Sequence, residues 1–136
     1  MRQNFVRQKE MPTFFGQPQF NGKKHIVADD TLILDKPELF YKHPNGEIWV
    51  GDSIEWLNSL TENSVDLVFA DPPYNIKKAD WDNFESQQKY IEWSLKWIEP
   101  AARALKKSGT LYVCGFSEIL ADLKAPSMKF FKSCRW

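Results

Sequence analysis

Residues Val65 to Ala70 (VDLVFA) are apolar except for Asp66, and they lead directly into Asp71-Pro72-Pro73-Tyr74. A short continuous apolar run of this kind fits a strand of a parallel sheet, covered on both faces. Two prolines cannot continue a ladder of backbone hydrogen bonds, and they fix φ near −65° while restricting the residue before each of them. The strand therefore stops at Asp71 and presents a carboxylate at its carboxyl end. Everything else in the chain has to be arranged around that stop.

Upstream, residues 38–42 and 47–50 flank His43-Pro44-Asn45-Gly46, a turn signal that predicts a hairpin or strand entry. Gly51, Asp52 and Ser53 end the second run. Ser53 is a good N-cap for a short helix carrying Ile54, Leu57 and Leu60 at helical spacing. Downstream, Tyr90, Ile91, Leu95, Ile98, Ala102 and Leu105 mark the apolar face of a long helix over about 84–107, which Pro100 should kink or divide. Gly109, after Lys106 and Lys107, suits the end of that helix. Residues 110–114 read as another strand, Ser117 as the cap of a helix to about Lys124, and 128–136 as the start of one more strand. Alternation of strand and helix argues for an α/β fold with a mostly parallel sheet and helices on both faces. Ligands in such folds sit at the carboxyl ends of the strands, where the 51–53 and 71–74 segments fall.

Residues 1–35 mix Gln, Asn, Pro and Gly without a period and read as an irregular arm. Phe14, Phe15 and Phe20 could tuck onto the domain that follows, residues 36–136. Lys+Arg and Asp+Glu both number 18, a balance unlike the basic excess of a free-standing nucleic-acid module. Cys114 and Cys134 make neither a disulfide scaffold nor a zinc site, and His25 and His43 lack partners at metal-ligand spacing, so no metal is expected. No apolar stretch approaches the ~18 residues of a membrane span, and residues 1–10 lack a signal-peptide core, so a cytoplasmic location is the default expectation.

The chemistry available at residues 71–74 is specific. An exocyclic amino group on a nucleobase is a poor nucleophile because its lone pair is delocalised into the ring. Two fixed acceptors for its hydrogens favour a pyramidal nitrogen with the lone pair aimed outward. The Asp71 carboxylate and the Pro72 carbonyl can serve as that pair, pre-positioned by the rigid prolines. Tyr74 offers a flat face on which an extruded base can stack, and Asp71 can take up the surplus proton. The alternative is a stiff turn and nothing more. A given tetrapeptide of this composition arises in a chain this long with odds on the order of 1 in 1,000, which weighs against it.

The run GDSIEWLNSLTENSVDLVFADPPYN, residues 51–75, resembles the amino-methyltransferases of restriction-modification systems, and is most similar to their permuted β-class. The similarity continues through DWDNFESQQKYIEWSLKWIEPAARALKKSGTLYVCG, residues 80–115, and covers roughly residues 46–136. The resemblance implies a Rossmann-like methyltransferase fold and transfer of a methyl group from S-adenosylmethionine to a base flipped from double-stranded DNA. Catalysis would fall to Asp71, Pro72, Pro73 and Tyr74. Cofactor contacts would fall to Asp52 and Asp71, although Asp52 reads equally as a helix cap. Aspartate at the first motif position marks mostly adenine-N6 enzymes in that family, with cytosine N4, an RNA base or a protein amide as the alternatives. A cognate restriction endonuclease is a further implied partner.

Around the motif the residues admit more than one role. Asn75 is a candidate for holding the loop or the target nucleotide. Lys77 and Lys78 are candidates for phosphate contact or for simple solvation. Trp81 and Phe84 read as anchors of the loop or as neighbours of the flipped base, and Trp93 and Trp97 as packing residues. Trp49 and Trp56 are ambiguous. The family's glycine loop, F-x-G-x-G, has no counterpart: none of the six glycines forms a G-x-G. The chain thus resembles the catalytic half of such an enzyme, expected to bind cofactor poorly and to turn over little by itself.

Overall fold

The computed structural model describes residues 36–135, together with the backbone of His25–Ile26 and Leu32–Ile33. The chain divides into two compact units: Met1–Leu34 with Glu38–Val50, and Asp35–Pro37 with Gly51–Trp136.

In the first unit, β1 (His25–Ile26) and β2 (Leu32–Ile33) pair antiparallel, inside the segment expected to be irregular. Phe14, Phe15 and Phe20 lie outside the described residues. The hairpin forms as expected from its turn. Strand β3 (Glu38–His43) runs antiparallel to β4 (Gly46–Val50), the Asn45 N–H donates to His43 Nδ1 at 3.2 Å, and Lys42 meets Glu47 across the strands at 2.7 Å. Among the described residues β4 pairs with β3 alone, so it does not enter the parallel sheet that the alternation suggested.

The second unit is an α/β layer. It contains α1 (Ser53–Ser59), β5 (Val65–Ala70), α2 (Gln87–Ala104), β6 (Leu105–Val113) and α3 (Ser117–Ser127), with short 3-10 turns at Asp80–Asp82 and Met128–Phe130. β5 and β6 are parallel, with Leu67 opposite Thr110 and Ala70 opposite Val113, and α2 is the crossover between them. Leu57, Trp97, Ile98 and Ala101 form the core, and Val68, Ala70, Leu111 and Val113 of the strands pack against it. Helices α1 and α2 thus cover one face of the strand pair. The Arg103 guanidinium ties them together by donating to the carbonyls of Leu57 and Asn58 at 3.0 and 3.1 Å, a cation at the carboxyl end of α1.

Four expectations need correction. The β5 run is well covered on one face only: Leu67, Phe69 and Tyr112 are 53%, 68% and 58% exposed, because side chains alternate along a strand and the core lies against Val68 and Ala70. Asp66 is exposed and meets Lys106 at 2.8 Å. Helix α2 stays one helix through the buried Pro100 and ends at Ala104, where Leu105 turns to extended backbone (φ −67°, ψ 138°) and starts β6 with no loop. Lys106, Lys107 and Gly109 are therefore strand residues. Gly109 serves close approach rather than helix capping: a Cβ there would stand 2.9 Å from Leu105 Cδ2 and 3.1 Å from the Val65 carbonyl oxygen, where the β5–β6 register slips.

The caps and the last element differ as well. Asp52, not Ser53, caps α1, because its carboxylate reaches the N–H groups of Ile54 and Glu55. Phe116 precedes α3 without a side-chain cap, and Pro126 lies inside that helix. No strand follows among the described residues: Met128–Phe130 makes a 3-10 turn, and Phe130 and Phe131 return to the core.

Candidate active site

β5 ends at Ala70 and the chain leaves it through the two prolines, so the Asp71 carboxylate stands exposed at the strand's carboxyl end. The neighbouring end of β6 is held alongside by the Cys114 N–H, which donates to the Ala70 carbonyl at 2.8 Å. This register brings Phe116 against Tyr74, edge to face, with ring centroids 5.5 Å apart. The Tyr74 hydroxyl donates a short hydrogen bond to Asp71 Oδ1. That bond, with burial second, pushes the Tyr74 hydroxyl up to about 12. The second carboxylate oxygen, Oδ2, accepts no hydrogen bond among the described residues.

The two proline carbonyls differ. Pro73 O accepts from the Tyr90 hydroxyl at 2.8 Å, and Tyr90 is a buried residue of α2, 1% exposed. Burial raises the Tyr90 hydroxyl above its ordinary value, with the Asp82 carboxylate adding to the rise. No donor among the described residues reaches the Pro72 carbonyl. One carbonyl is thus engaged by the scaffold, and the other has no donor among the described residues.

Beyond Tyr74 the loop folds over Asp82. Its carboxylate accepts from the N–H groups of Tyr74, Asn75, Ile76 and Lys78 at 2.6, 2.7, 3.2 and 3.4 Å. Burial alone would raise its pKa, but these four donors outweigh burial and leave it lowered. Asn75 bridges the loop to α2: its Nδ2 donates to Gln87 Oε1 at 3.1 Å, and its Oδ1 accepts from the Phe84 N–H at 3.1 Å. Gln87 continues to Asp122 of α3 at 3.3 Å.

Asp71, Pro73, Tyr74 and Asn75 are therefore brought into one hydrogen-bonded group. Asp52 is not part of it: both of its hydrogen bonds, to Ile54 N and Glu55 N at 2.8 and 3.0 Å, fall on Oδ1 and belong to α1. Lys77 and Lys78 are exposed and enter the group through backbone N–H groups alone. Phe84 packs on Tyr90 and Trp93, each at 5.1 Å, and so anchors the loop. Trp81 does not; it is 70% exposed. Trp97 and Trp93 pack in or against the core, as does Trp56, whereas Trp49 is exposed. Sequence reasoning missed Asp82, Gln87 and Tyr90 as organisers of the site. Among the described residues no group of His, Cys, Asp and Glu could hold a metal ion, and no helix is long and apolar enough to cross a membrane.

The parallel pair with its helical crossover is an α/β arrangement of the Rossmann-like kind, and likeness to known proteins makes it that of the DNA methyltransferases. A solved relative shares this architecture: PvuII DNA methyltransferase (cytosine-N4-specific) superposes with a TM-score of 0.57 at 26% identity, over 70% of this chain and 37% of that one. The DNA methylase family that spans N6- and N4-directed enzymes matches residues 65–134, and the chain belongs to it. Similar curated proteins include the type II methyltransferases M.HpaI of Haemophilus parainfluenzae (42% identical over 64 residues, 46% of this chain and 20% of that protein) and M.BamHI of Bacillus amyloliquefaciens (34% over 98 residues, 68% and 22%). M.BglII of Bacillus subtilis is 38% identical over 93 residues, 66% of this chain and 26% of that protein. The chain spans between 20% and 35% of the length of such relatives.

Proposed function

We propose that this chain carries the catalytic loop of an S-adenosylmethionine-dependent DNA methyltransferase that modifies adenine N6. The observation that carries the proposal is the division of labour at the strand end. Asp71 Oδ2 and the Pro72 carbonyl are left as acceptors while the scaffold holds the Pro73 carbonyl. In this reading one amino hydrogen of the flipped base goes to Asp71 and the other to Pro72, and the nitrogen lone pair is directed outward. With the methyl donor bound, the outward lone pair would face its methyl group, and Asp71 would take the surplus N–H proton.

The residues present fit part of the cofactor. An exposed carboxylate beside the aromatic rings of Tyr74 and Phe116 suits a sulfonium cation. S-adenosylmethionine would supply the electrophilic methyl group. Asp52 has Oδ2 left over from capping and is the candidate contact to its adenosine part, while Tyr74, Asn75 and Lys77 are candidates on the DNA side. Double-stranded DNA is the proposed substrate, and a cognate restriction endonuclease the proposed counterpart.

Cytosine N4 is the second reading, favoured by the cytosine-N4 specificity of the solved relative. Aspartate rather than serine at position 71 favours adenine. Incubating the full-length protein with labelled cofactor and DNA, then analysing nucleosides, decides between them: label in N6-methyladenine is expected. Label in N4-methylcytosine overturns the base assignment, and no label in DNA overturns the activity.

A further inference from the structure

Asp82 is the least exposed carboxylate beside the site, at 2%, although Trp81 and Asn83 on either side of it are exposed. Its two oxygens take the N–H groups of Tyr74, Asn75, Ile76 and Lys78, and its own carbonyl takes that of Lys77 at 3.0 Å. Five consecutive amides thus converge on one residue, a concave nest of the kind that binds anions, here filled from within the chain. The backbone adapts to the convergence: Asn75 and Lys77 hold φ of 56° and 59°, the left-handed region that non-glycine residues seldom occupy. Such conformations persist where their surroundings over-determine them. A loop that needed only to turn would tolerate any compact conformation; this one is tied at every amide.

The shortest of these bonds, 2.6 Å, reaches Tyr74 itself. The Tyr74 hydroxyl in turn holds Asp71, and Tyr90 holds the Pro73 carbonyl. The loop is pinned on both sides of the Pro73–Tyr74 peptide bond, by Tyr90 from α2 and by Asp82 from the 3-10 turn. We propose that Asp82 is a positioning residue for methyl transfer, whose carboxylate sets the Tyr74 main chain and, through the Tyr74 hydroxyl, the direction of the Asp71 carboxylate. The proposal rests on the reading of residues 71–74 as an amino-methylation site.

The test uses the full-length protein with Asp82→Ala and Asp82→Asn. Asparagine can still accept at Oδ1 from Tyr74 and Asn75, but its amide nitrogen cannot accept from Ile76 and Lys78. For Asp82→Ala, kcat is expected to fall about 100-fold, the scale of an ångström-sized misplacement of reacting groups, with KM for cofactor and DNA changed less than about 3-fold. For Asp82→Asn, a loss on the order of 10-fold is expected, with faster amide exchange at Ile76 and Lys78 and protection kept at Tyr74. A role confined to stability would lower the folded fraction but leave kcat per folded molecule unchanged. Wild-type kcat in Asp82→Asn overturns the proposal, as does wild-type exchange at Ile76 and Lys78. If Asp82→Ala does not fold, Asp82→Asn decides alone. Absence of methyl transfer in the wild type overturns the proposed function instead, and amide exchange then still decides whether Asp82 holds the loop.

Discussion

Removing a single oxygen atom, in Tyr90→Phe, isolates the contribution of the anchored Pro73 carbonyl. The ring itself is retained, with its contacts to Phe84 at 5.1 Å and Trp93 at 6.0 Å, so the core is not perturbed. What disappears is one hydrogen bond of 2.8 Å to a partly buried acceptor. A neutral hydrogen bond contributes about 1 kcal/mol net, and an acceptor left unpaired in a desolvated site raises the loss toward about 2 kcal/mol. The kinetic effect is expected to be smaller than that of a full ångström of misplacement, on the order of 10-fold in kcat, because Asp82 still holds the next amide. Urea unfolding and single-turnover methylation of the full-length protein measure the two losses. A variant with wild-type stability and wild-type rate would refute the idea that Tyr90 holds the motif in place.

Three further outcomes follow from the geometry. In a spectrophotometric titration Tyr74 should remain protonated past pH 10 and ionise near 12, and Asp71→Asn should return it toward 10. Because its folded pKa lies above its unfolded value, its contribution to stability is complete below pH 10 and is lost as pH rises through about 12. Asp52→Ala removes the cap of α1 and should destabilise by about 1 kcal/mol in urea melts; a simultaneous rise in the dissociation constant for S-adenosylmethionine would mark the second, cofactor role. Gly109→Ala should destabilise by about 1–3 kcal/mol through overpacking against Leu105 and the Val65 carbonyl, seen as a lowered Tm.

Some of this molecule was legible from the order of its residues. The hairpin about Pro44-Asn45, the strand Val65–Ala70 and its abrupt stop at the prolines follow from local rules, and the structure has each of them. The helix α2 showed in its three- and four-residue spacing, but its end did not. Leu105 is apolar at a position that suits a helix face and a strand alike, so only the pairing with Val65 settles where the helix stops. Asp82 was hidden for a different reason. Its partners are backbone N–H groups, which every residue but proline carries, so nothing in the letters from 74 to 78 announces them. The aromatic neighbours Trp81 and Phe84 looked the more promising anchors, yet of those two only Phe84 packs.

The pairing of Asp66 with Lys106 has a consequence for how the chain survives its own synthesis. VDLVFA with an apolar residue in place of its aspartate would be a six-residue stretch of high β-propensity, low charge and no proline, the composition that self-assembles most readily. Among the described residues β5 pairs with β6 alone, and that parallel pairing waits until α2 and some forty residues have emerged behind it. A charge placed early in the strand discourages two nascent copies from stacking in register, and once β6 arrives the lysine neutralises it on the outer surface. The same ion pair that contributes little to the finished fold thus acts as a gatekeeper while the fold is still being made.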